Sequence, residues 1–366
     1  MNNTDVKVSV IMPIHNAAYL RPALDSAISQ TMQEIEIICV DDGSTDNSLQ
    51  ILKEYQKNDE RVRIVTETNA GPALARNNGI RRARGEYVAF LDDDDFYDPT
   101  FLETLYNAAK NHDLDIAISD YDVYNSRRAI FQRAIPSEHE HLFEEGKATS
   151  KSEHPDHIFS ITNGSAWNKL FKRKFLIEKN LIFLPDVKMY EDVYFIVTSL
   201  SLAKSIEKIP QILMHHRVHS EQTRAKVFRK YYSQVPIIYV KIKEFLMHHG
   251  VFAPLFSSYI NLTAGRCLKI FDILDSDAKQ EFWNMLHNEY SELMSWNGRV
   301  LSDFSEPEVF EFVANVEIFD YRQYKKRASK GRSLRLEMFR PTVNGKKRKK
   351  IHNLFARLFS RKKITK

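Results

Sequence analysis

Four consecutive carboxylates, Asp92 to Asp95, close the stretch "EYVAFLDDDD" at residues 86–95, directly after an apolar run that reads as a buried strand. Carboxylates this crowded repel one another and raise each other's pKa unless a cation neutralises them. Mg2+ or Mn2+ would do so economically, because such ions prefer oxygen ligands, keep several waters, and take one or two protein carboxylates together with substrate phosphate oxygens. The competing reading is a solvated acidic turn ahead of a helix expected to start near Pro99. A second acidic piece, "VDDGSTDNS" at 40–48, also ends an apolar run. There Asp42 could accept the imide N–H of a uracil, while Ser44 or Thr45 is placed to cap the next helix. A third, "YEDVYF" at 190–195, puts Glu191 and Asp192 at an expected helix start, where the helix dipole favours acids.

The elements that must position these groups alternate through the first hundred residues: strands at 7–14, 34–40, 61–65 and 86–91, with helices around 18–31, 45–58 and 72–83. That is the βαβα pattern of a mostly parallel sheet flanked by helices, an α/β fold. In such sheets ligands bind beyond the carboxyl ends of the strands. The clusters "PIHN", "DDGSTD", "TNAGPALARNN" and "DDDD" lie at those ends, so four strand ends are expected to converge on one cleft. Residues 137–157 are polar and unpatterned and read as a mobile loop. A boundary is expected near 225, giving an α/β domain over 1–225, a helical accessory domain of about four helices over 226–328, and a basic tail over 329–366.

The chain has 366 residues, 43% of them hydrophobic and 11% aromatic, which is ample for a packed core. Its only cysteines, Cys39 and Cys267, suggest neither a disulfide framework nor a thiolate metal site, so a reducing, cytoplasmic setting is expected. No leader pattern and no apolar run long enough to span a bilayer is visible. The net charge of +5 is uneven: from Lys325 onward 17 Lys/Arg face only Glu337, so this segment carries +16 and the rest −11. Within it Ile351, Leu354, Phe355, Leu358 and Phe359 follow helical spacing as one apolar stripe. A basic helix of this kind suits the surface of an anionic leaflet, so a peripheral place at the inner face of the cell membrane is expected. Nucleic acid is not expected as a partner, because the Phe/Leu stripe matches acyl chains better than phosphates.

Taken in order, "VSVIMPIHNAAYLRPALDSAISQT", "VDDGSTDNS", "NAGPALARNNGI", "GEYVAFLDDDD", "WNKLF", "YEDVYF" and "RVHS" resemble the family 2 inverting glycosyltransferases of GT-A fold, of the bacterial cell-surface polysaccharide type. The resemblance covers about the first 220 residues. It implies a metal-dependent enzyme that moves a sugar from a nucleotide sugar, expected to be a UDP-sugar, to a glycan or lipid-linked glycan. It implies further that Pro13, His15 and Asn16 line the base pocket, with the His15 ring on the uracil face, and that Asp42 reads the uracil edge. Asn69, Gly71 and Arg76 would border the nucleotide, although Arg76 fits a structural ion pair equally well.

In the acidic run, Asp92 and Asp93 would contact ribose or donor sugar and Asp94 would bind Mn2+ or Mg2+, with Asp92 and His219 as further metal candidates. The register Asp93-Asp94-Asp95 satisfies the same motif and stays open. Asp192 is the implied general base, with Glu191 beside it. Arg217 would grip a diphosphate oxygen with its planar fork, and His219 or Ser220 would complete that site. Trp167, Asn168 and Lys169 are placed near the sugar or acceptor. Two other classes share parts of this pattern: a nucleotidyltransferase, which would release pyrophosphate, and a non-catalytic membrane- or nucleic-acid-binding scaffold with a nucleotide-binding fold. The helical region is a candidate surface for homo-oligomers.

Overall fold

The computed structural model describes residues 6–219 and 230–330. The chain divides into two compact units, Met1–Val227 and Phe228–Lys366.

In the first unit β1 (Val8–Ile14) and β2 (Ile35–Asp41) are buried at every position. That is why both read as near-continuous apolar runs, interrupted only by Ser9, Glu36 and the terminal Asp41, rather than as alternating ones. They pair in parallel from Val8↔Ile35 to Ile14↔Asp41. β3 (Val62–Thr66) extends the sheet beyond β2, and β4 (Tyr87–Phe90) lies on the other side of β1, again in parallel. The crossovers are α1 (Leu20–Ile28), α2 (Ser48–Asn58) and α3 (Pro72–Arg82). Helix α3 closes tightly on β1 because Gly79 faces it: a Cβ there would lie 2.3 Å from Ile11 Cγ2.

Beyond β4 the sheet becomes mixed. It continues through β5 (Phe96–Tyr97), α4 (Phe101–Asn111), β6 (Ile116–Asn125), β7 (Ile130–Arg133), β8 (Lys169–Lys172), α5 (Arg173–Glu178), α6 (Glu191–Leu202) and β9 (Ile206–Val218). The strand order is β3-β2-β1-β4-β8-β6-β9-β5, with β7 hydrogen-bonded to β6. β8 is antiparallel to both of its neighbours, whereas β6 and β9 run parallel. Strand β8 is hard to see in the sequence because its four residues run directly into α5. The segment 137–157 holds a 3-10 turn at Glu140–Leu142 and a bridge from Thr149 to Ile206.

Helix α6 is buried on nearly all sides from Phe195 onward. The Phe195 ring stacks on Phe183 at 4.0 Å and meets Phe90 and Phe171 edge-on. This aromatic cluster fixes the helix body, and thereby its acidic first turn. Two local expectations differ. The acidic run does not open a helix, since β5 intervenes and α4 begins only at Phe101, where Asp98 accepts from the N–H and hydroxyl of Thr100. Nor do Ser44 and Thr45 cap α2, which starts later, at Ser48.

The second unit is helical: α7 (Gln234–His248), α8 (Phe256–Ile273), α9 (Ser276–Met285), α10 (Pro307–Ile318) and α11 (Tyr321–Ala328), with a π-turn at Leu286–Tyr290. Asp275 and Asp320 accept from the backbone N–H groups of Ala278 and Gln323 and so cap α9 and α11. Its core is built on Trp283 and Trp296, whose indole N–H groups reach Phe319 O and Thr263 Oγ1, both at 3.0 Å. The expected four helices are five of eight residues or more among the described residues, because α11 follows α10 across a gap too short to show as a break in apolar spacing. Among the described residues no helix is long and apolar enough to cross a membrane. The basic stripe at 351–359 lies outside the described residues.

Candidate active site

The carboxyl ends of β1, β2, β3 and β4 carry the polar clusters, and hydrogen bonds tie these together. His15, just past β1, donates its backbone N–H to Asp93 Oδ2 at 3.1 Å. Its Nδ1 lies 3.0 Å from the carbonyl oxygen of Asp42, which only a protonated nitrogen can satisfy, so Nε2 is the acceptor for the Asn69 amide at 3.2 Å and the Asn16 amide at 3.3 Å. Asn16, at φ 51°, turns its amide oxygen to the N–H groups of Thr45 and Asp46, while its own N–H donates to Ser44 Oγ. Ser44 and Thr45 therefore serve Asn16 rather than a helix end. Pro13, buried in β1, sits opposite Val40.

Asp42 is buried and accepts from two successive backbone groups, Ala70 N–H at 2.7 Å and Gly71 N–H at 2.8 Å. The clamp holds the turn into α3, where Gly71 takes φ +95°, a conformation that side-chain-bearing residues rarely adopt. In the second turn of α3, Arg76 is 5% exposed. One guanidinium nitrogen donates to Asp92 Oδ1 at 2.7 Å, and the other reaches Glu191 Oε1 and Asp192 Oδ1, both at 3.2 Å. Phe183 lies under it at 5.2 Å, and its Nε is buried without a partner among the described residues. Burial works to lower the Arg76 pKa, but the charges of Asp192, Asp92 and Glu191 outweigh it and hold the group above its ordinary value. Asp192 is pushed up to about 7, first by burial; Arg76 opposes the rise, and Glu191 and Asp92 add to it.

The four aspartates have different surroundings. Asp92 faces Arg76. Asp93 is pushed up to about 8 by burial and by the Asp94 charge, against the His15 N–H that favours its ionised form. Asp94 Oδ2 lies 3.1 Å from His219 Nε2. Asp95 is fully buried and accepts from Arg217 N–H at 2.8 Å and His216 Nδ1 at 3.0 Å. Although burial works against a charged imidazole, the hydrogen bond and charge of Asp95 raise the His216 pKa.

Arg217, expected to grip a diphosphate oxygen with its planar fork, is anchored on its Nε edge. Its Nε donates to the Asp94 carbonyl at 2.7 Å, and the guanidinium carbon lies 4.7, 4.9 and 5.1 Å from the ring centres of Tyr19, Phe96 and Tyr124. Cation–π contact with three rings holds it against the acidic turn. His219 leans on Tyr19 at 4.7 Å, and Ser220 lies outside the described residues. Trp167 stacks on His216 at 5.6 Å. Lys169 is fully buried, its ammonium bonded to Asn163 Oδ1, Ser165 O and Asn168 Oδ1, and burial holds its pKa well below the usual lysine range. The aromatic box and His216 carried no spacing signal, because Tyr19, Phe96, Tyr124 and Arg217 come from four separate segments.

Among the described residues no cluster of three or more His, Cys, Asp or Glu is arranged to hold a metal ion. A divalent ion that also binds phosphate needs only one or two protein ligands. Asp94 and His219 offer an oxygen and a nitrogen 3.1 Å apart, close to the roughly 3 Å between adjacent ligands on an octahedral ion with bonds of about 2.1 Å. The donor set fits Mg2+ or Mn2+ in that respect.

Residues 9–178 match the family described as "Glycosyl transferase family 2". A curated relative, "Uncharacterized glycosyltransferase YibD" of Escherichia coli K12, is 30% identical over 279 residues, covering 73% of this chain and 79% of its own length. Glycosyltransferase GlyA of Streptococcus pneumoniae is 37% identical over 173 residues, but the match spans 46% of this chain and only 25% of that protein. The poly(ribitol-phosphate) beta-glucosyltransferase of Bacillus spizizenii is 34% identical over 206 residues, spanning 55% of this chain and 30% of that protein. Among solved structures, residues 1–349 of Staphylococcus aureus TarS in complex with UDP-GlcNAc superpose with a TM-score of 0.71 at 20% identity, over 93% of this chain and 95% of that one. The fold is the GT-A fold, a mixed curled sheet flanked by helices with a helical region behind it in sequence.

Proposed function

The chain belongs to glycosyltransferase family 2 and is a glycosyltransferase, and from that premise we propose that it moves a sugar from a UDP-sugar to a hydroxyl of a glycan or lipid-linked glycan, with inversion and with Mg2+ or Mn2+. One observation carries this reading: a single buried guanidinium, Arg76, joins Asp192 to Asp92 at the end of β4, so the candidate base and the acidic donor turn belong to one site. The UDP-GlcNAc complex of the TarS fragment supports the choice of donor. The poly(ribitol-phosphate) glucosyltransferase supports a cell-surface acceptor.

In the proposed mechanism the uracil rests on the His15 ring and its imide N–H meets Asp42, whose free lone pairs remain after the two backbone donors are served. Asp92 and Asp93 face ribose and donor sugar. Asp94 and His219 would hold the divalent cation, which supplies charge to the leaving diphosphate when bound. Asp192 takes the acceptor hydroxyl proton as the oxygen bonds to the anomeric carbon, while the bond from that carbon to the diphosphate oxygen breaks and UDP leaves. A base pushed up to about 7 is matched to this work at neutral pH. Arg217 acts at one remove by fixing the Asp94 carbonyl. The acidic register is Asp92-Asp93-Asp94, since Asp95 is fully buried and already held by β9. The tail at 345–366 attaches the enzyme to an anionic leaflet, and the helical unit is the candidate surface for self-association. Asp192→Asn tests the core of this: UDP binding by calorimetry should stay within about twofold while turnover falls about 10²-fold or more. Undiminished turnover would remove Asp192 from the base position.

A further inference from the structure

The geometry points to a second binding surface: we propose that the β6–β7 hairpin, residues 125–135, docks the protein on an anionic lipid bilayer beside the candidate active site. The turn runs through Ala129 at φ 52°, and Arg128 N–H is held by Asn125. Among the described residues β7 hydrogen-bonds only to β6, and every residue from Arg127 to Arg133 is exposed. An exposed edge strand is normally blunted with polar side chains. Here Ile130, Phe131 and Ile135 are 40%, 55% and 91% exposed, and Arg127, Arg128 and Arg133 are interleaved with them.

No acid occurs from 125 to 135, and none of the three arginines is paired with a carboxylate among the described residues. The chain ahead of Lys325 carries −11, so the hairpin is a local cationic projection on an acidic body. Guanidinium heads flanking apolar side chains match the headgroup boundary, where the stems and Ile/Phe groups enter the acyl region and the heads stay with lipid phosphates. A purely polyanionic partner would use the arginines but would leave Ile130 and Ile135 in water.

The placement is specific. Phe131 and Tyr124 are paired across β6 and β7, and Tyr124 is paired with Arg217 across β9, so the three share one sheet face. The Phe131 ring meets Tyr124 at 4.8 Å and His215 at 5.3 Å. A bilayer that seats the hairpin therefore lies on the face where Arg217 holds the acidic turn, a position from which a membrane-borne acceptor is reached; this last clause rests on the proposed function, while the docking does not.

The test places a tryptophan at the most exposed position, Ile135→Trp, in the full chain. The native Trp167, Trp283 and Trp296 are at most 7% exposed and give a background that lipid does not reach. With vesicles of phosphatidylglycerol and brominated phosphatidylcholine, the new emission should shift to the blue and be quenched by the brominated chains, and phosphatidylcholine alone should do neither. Arg127→Ala/Arg128→Ala should weaken partitioning by about 30-fold, from about 1 kcal/mol for each basic residue near the surface. Three results would overturn the proposal: an unquenched signal from the introduced indole on protein that co-sediments, which would place docking in the basic tail; no binding at all; or a shift with soluble polyphosphate and none with vesicles, which would make the hairpin a polyanion site.

Discussion

Replacing Arg76 by methionine removes the cation that three carboxylates share. At an effective dielectric of about 20, a unit charge roughly 4 Å from a carboxylate is worth about 4 kcal/mol. Asp92, Glu191 and Asp192 have side chains 26%, 15% and 23% exposed, too little water to replace that attraction. Left to repel one another, they will take up at least one proton. Asp192 already sits at about 7, so its apparent pKa should rise by at least about one unit, equivalent to about 1.4 kcal/mol. Because the base must be deprotonated to act, the low-pH limb of the rate profile should move upward. At pH 7 turnover should fall at least about fivefold, since a base moved from about 7 to about 8 goes from half to about a tenth deprotonated, with part of the loss regained toward pH 8.5. The folded state should also lose about 3–5 kcal/mol, the usual cost of breaking a buried ion pair. The assay is metal-dependent hydrolysis of the donor from pH 6 to 9, beside a thermal melt. A profile lower in height but unmoved along the pH axis would refute the electrostatic link between Arg76 and Asp192.

Wild-type enzyme should itself show a low-pH limb near 7, which Asp192→Asn removes; a limb near 3.8, the ordinary aspartate value, would mean that burial does not raise this carboxyl. Asp94→Ala should abolish metal-dependent donor binding with little change in melting temperature. Asp95→Ala should instead destabilise by about 1–3 kcal/mol, because His216 Nδ1 and the Arg217 N–H lose their buried acceptor, while metal affinity of the folded fraction persists; the reverse pattern would shift the motif by one residue. Gly71→Ala meets open space, with only Lys188 Nζ at 3.7 Å, so its cost is the left-handed backbone, about 1–3 kcal/mol. It should weaken UDP binding, as read by calorimetry, through loss of the Asp42 clamp. Deleting residues 345–366 should weaken sedimentation with anionic liposomes at low salt to what the 125–135 hairpin alone supports, while donor hydrolysis continues; unchanged sedimentation would mean that the tail adds nothing to attachment.

The parallel half of the sheet was legible because its strands are buried on both faces, and strands such as "VSVIMPI" carry an apolar signal that needs no partner to interpret. The convergence of His15, Asp42, Asn69 and the acidic turn followed from strand order alone. What the sequence hid was pairing across long separations. Arg76 reads as one of several basic residues in α3, and only the docking of α6 against Phe183 and Phe90 brings Glu191 and Asp192 to it. The acidic run presents four identical residues, yet β9 singles out Asp95 by burying it, a distinction no local spacing contains. Arg217 shows the same limit: its residue type suits a diphosphate, but its three aromatic neighbours come from α1's approach, β5 and β6.

The central claim is tested most directly by supplying the protein and Mn2+ with a panel of nucleotide sugars and identifying the nucleotide released in the absence of acceptor. Slow release of UDP from a UDP-sugar is expected, lost on chelation of the metal and in Asp192→Asn. Release of a nucleoside monophosphate with a sugar phosphate, which marks attack at phosphorus, hydrolysis indifferent to metal, or a preference for a donor without uracil would contradict transfer from a UDP-sugar.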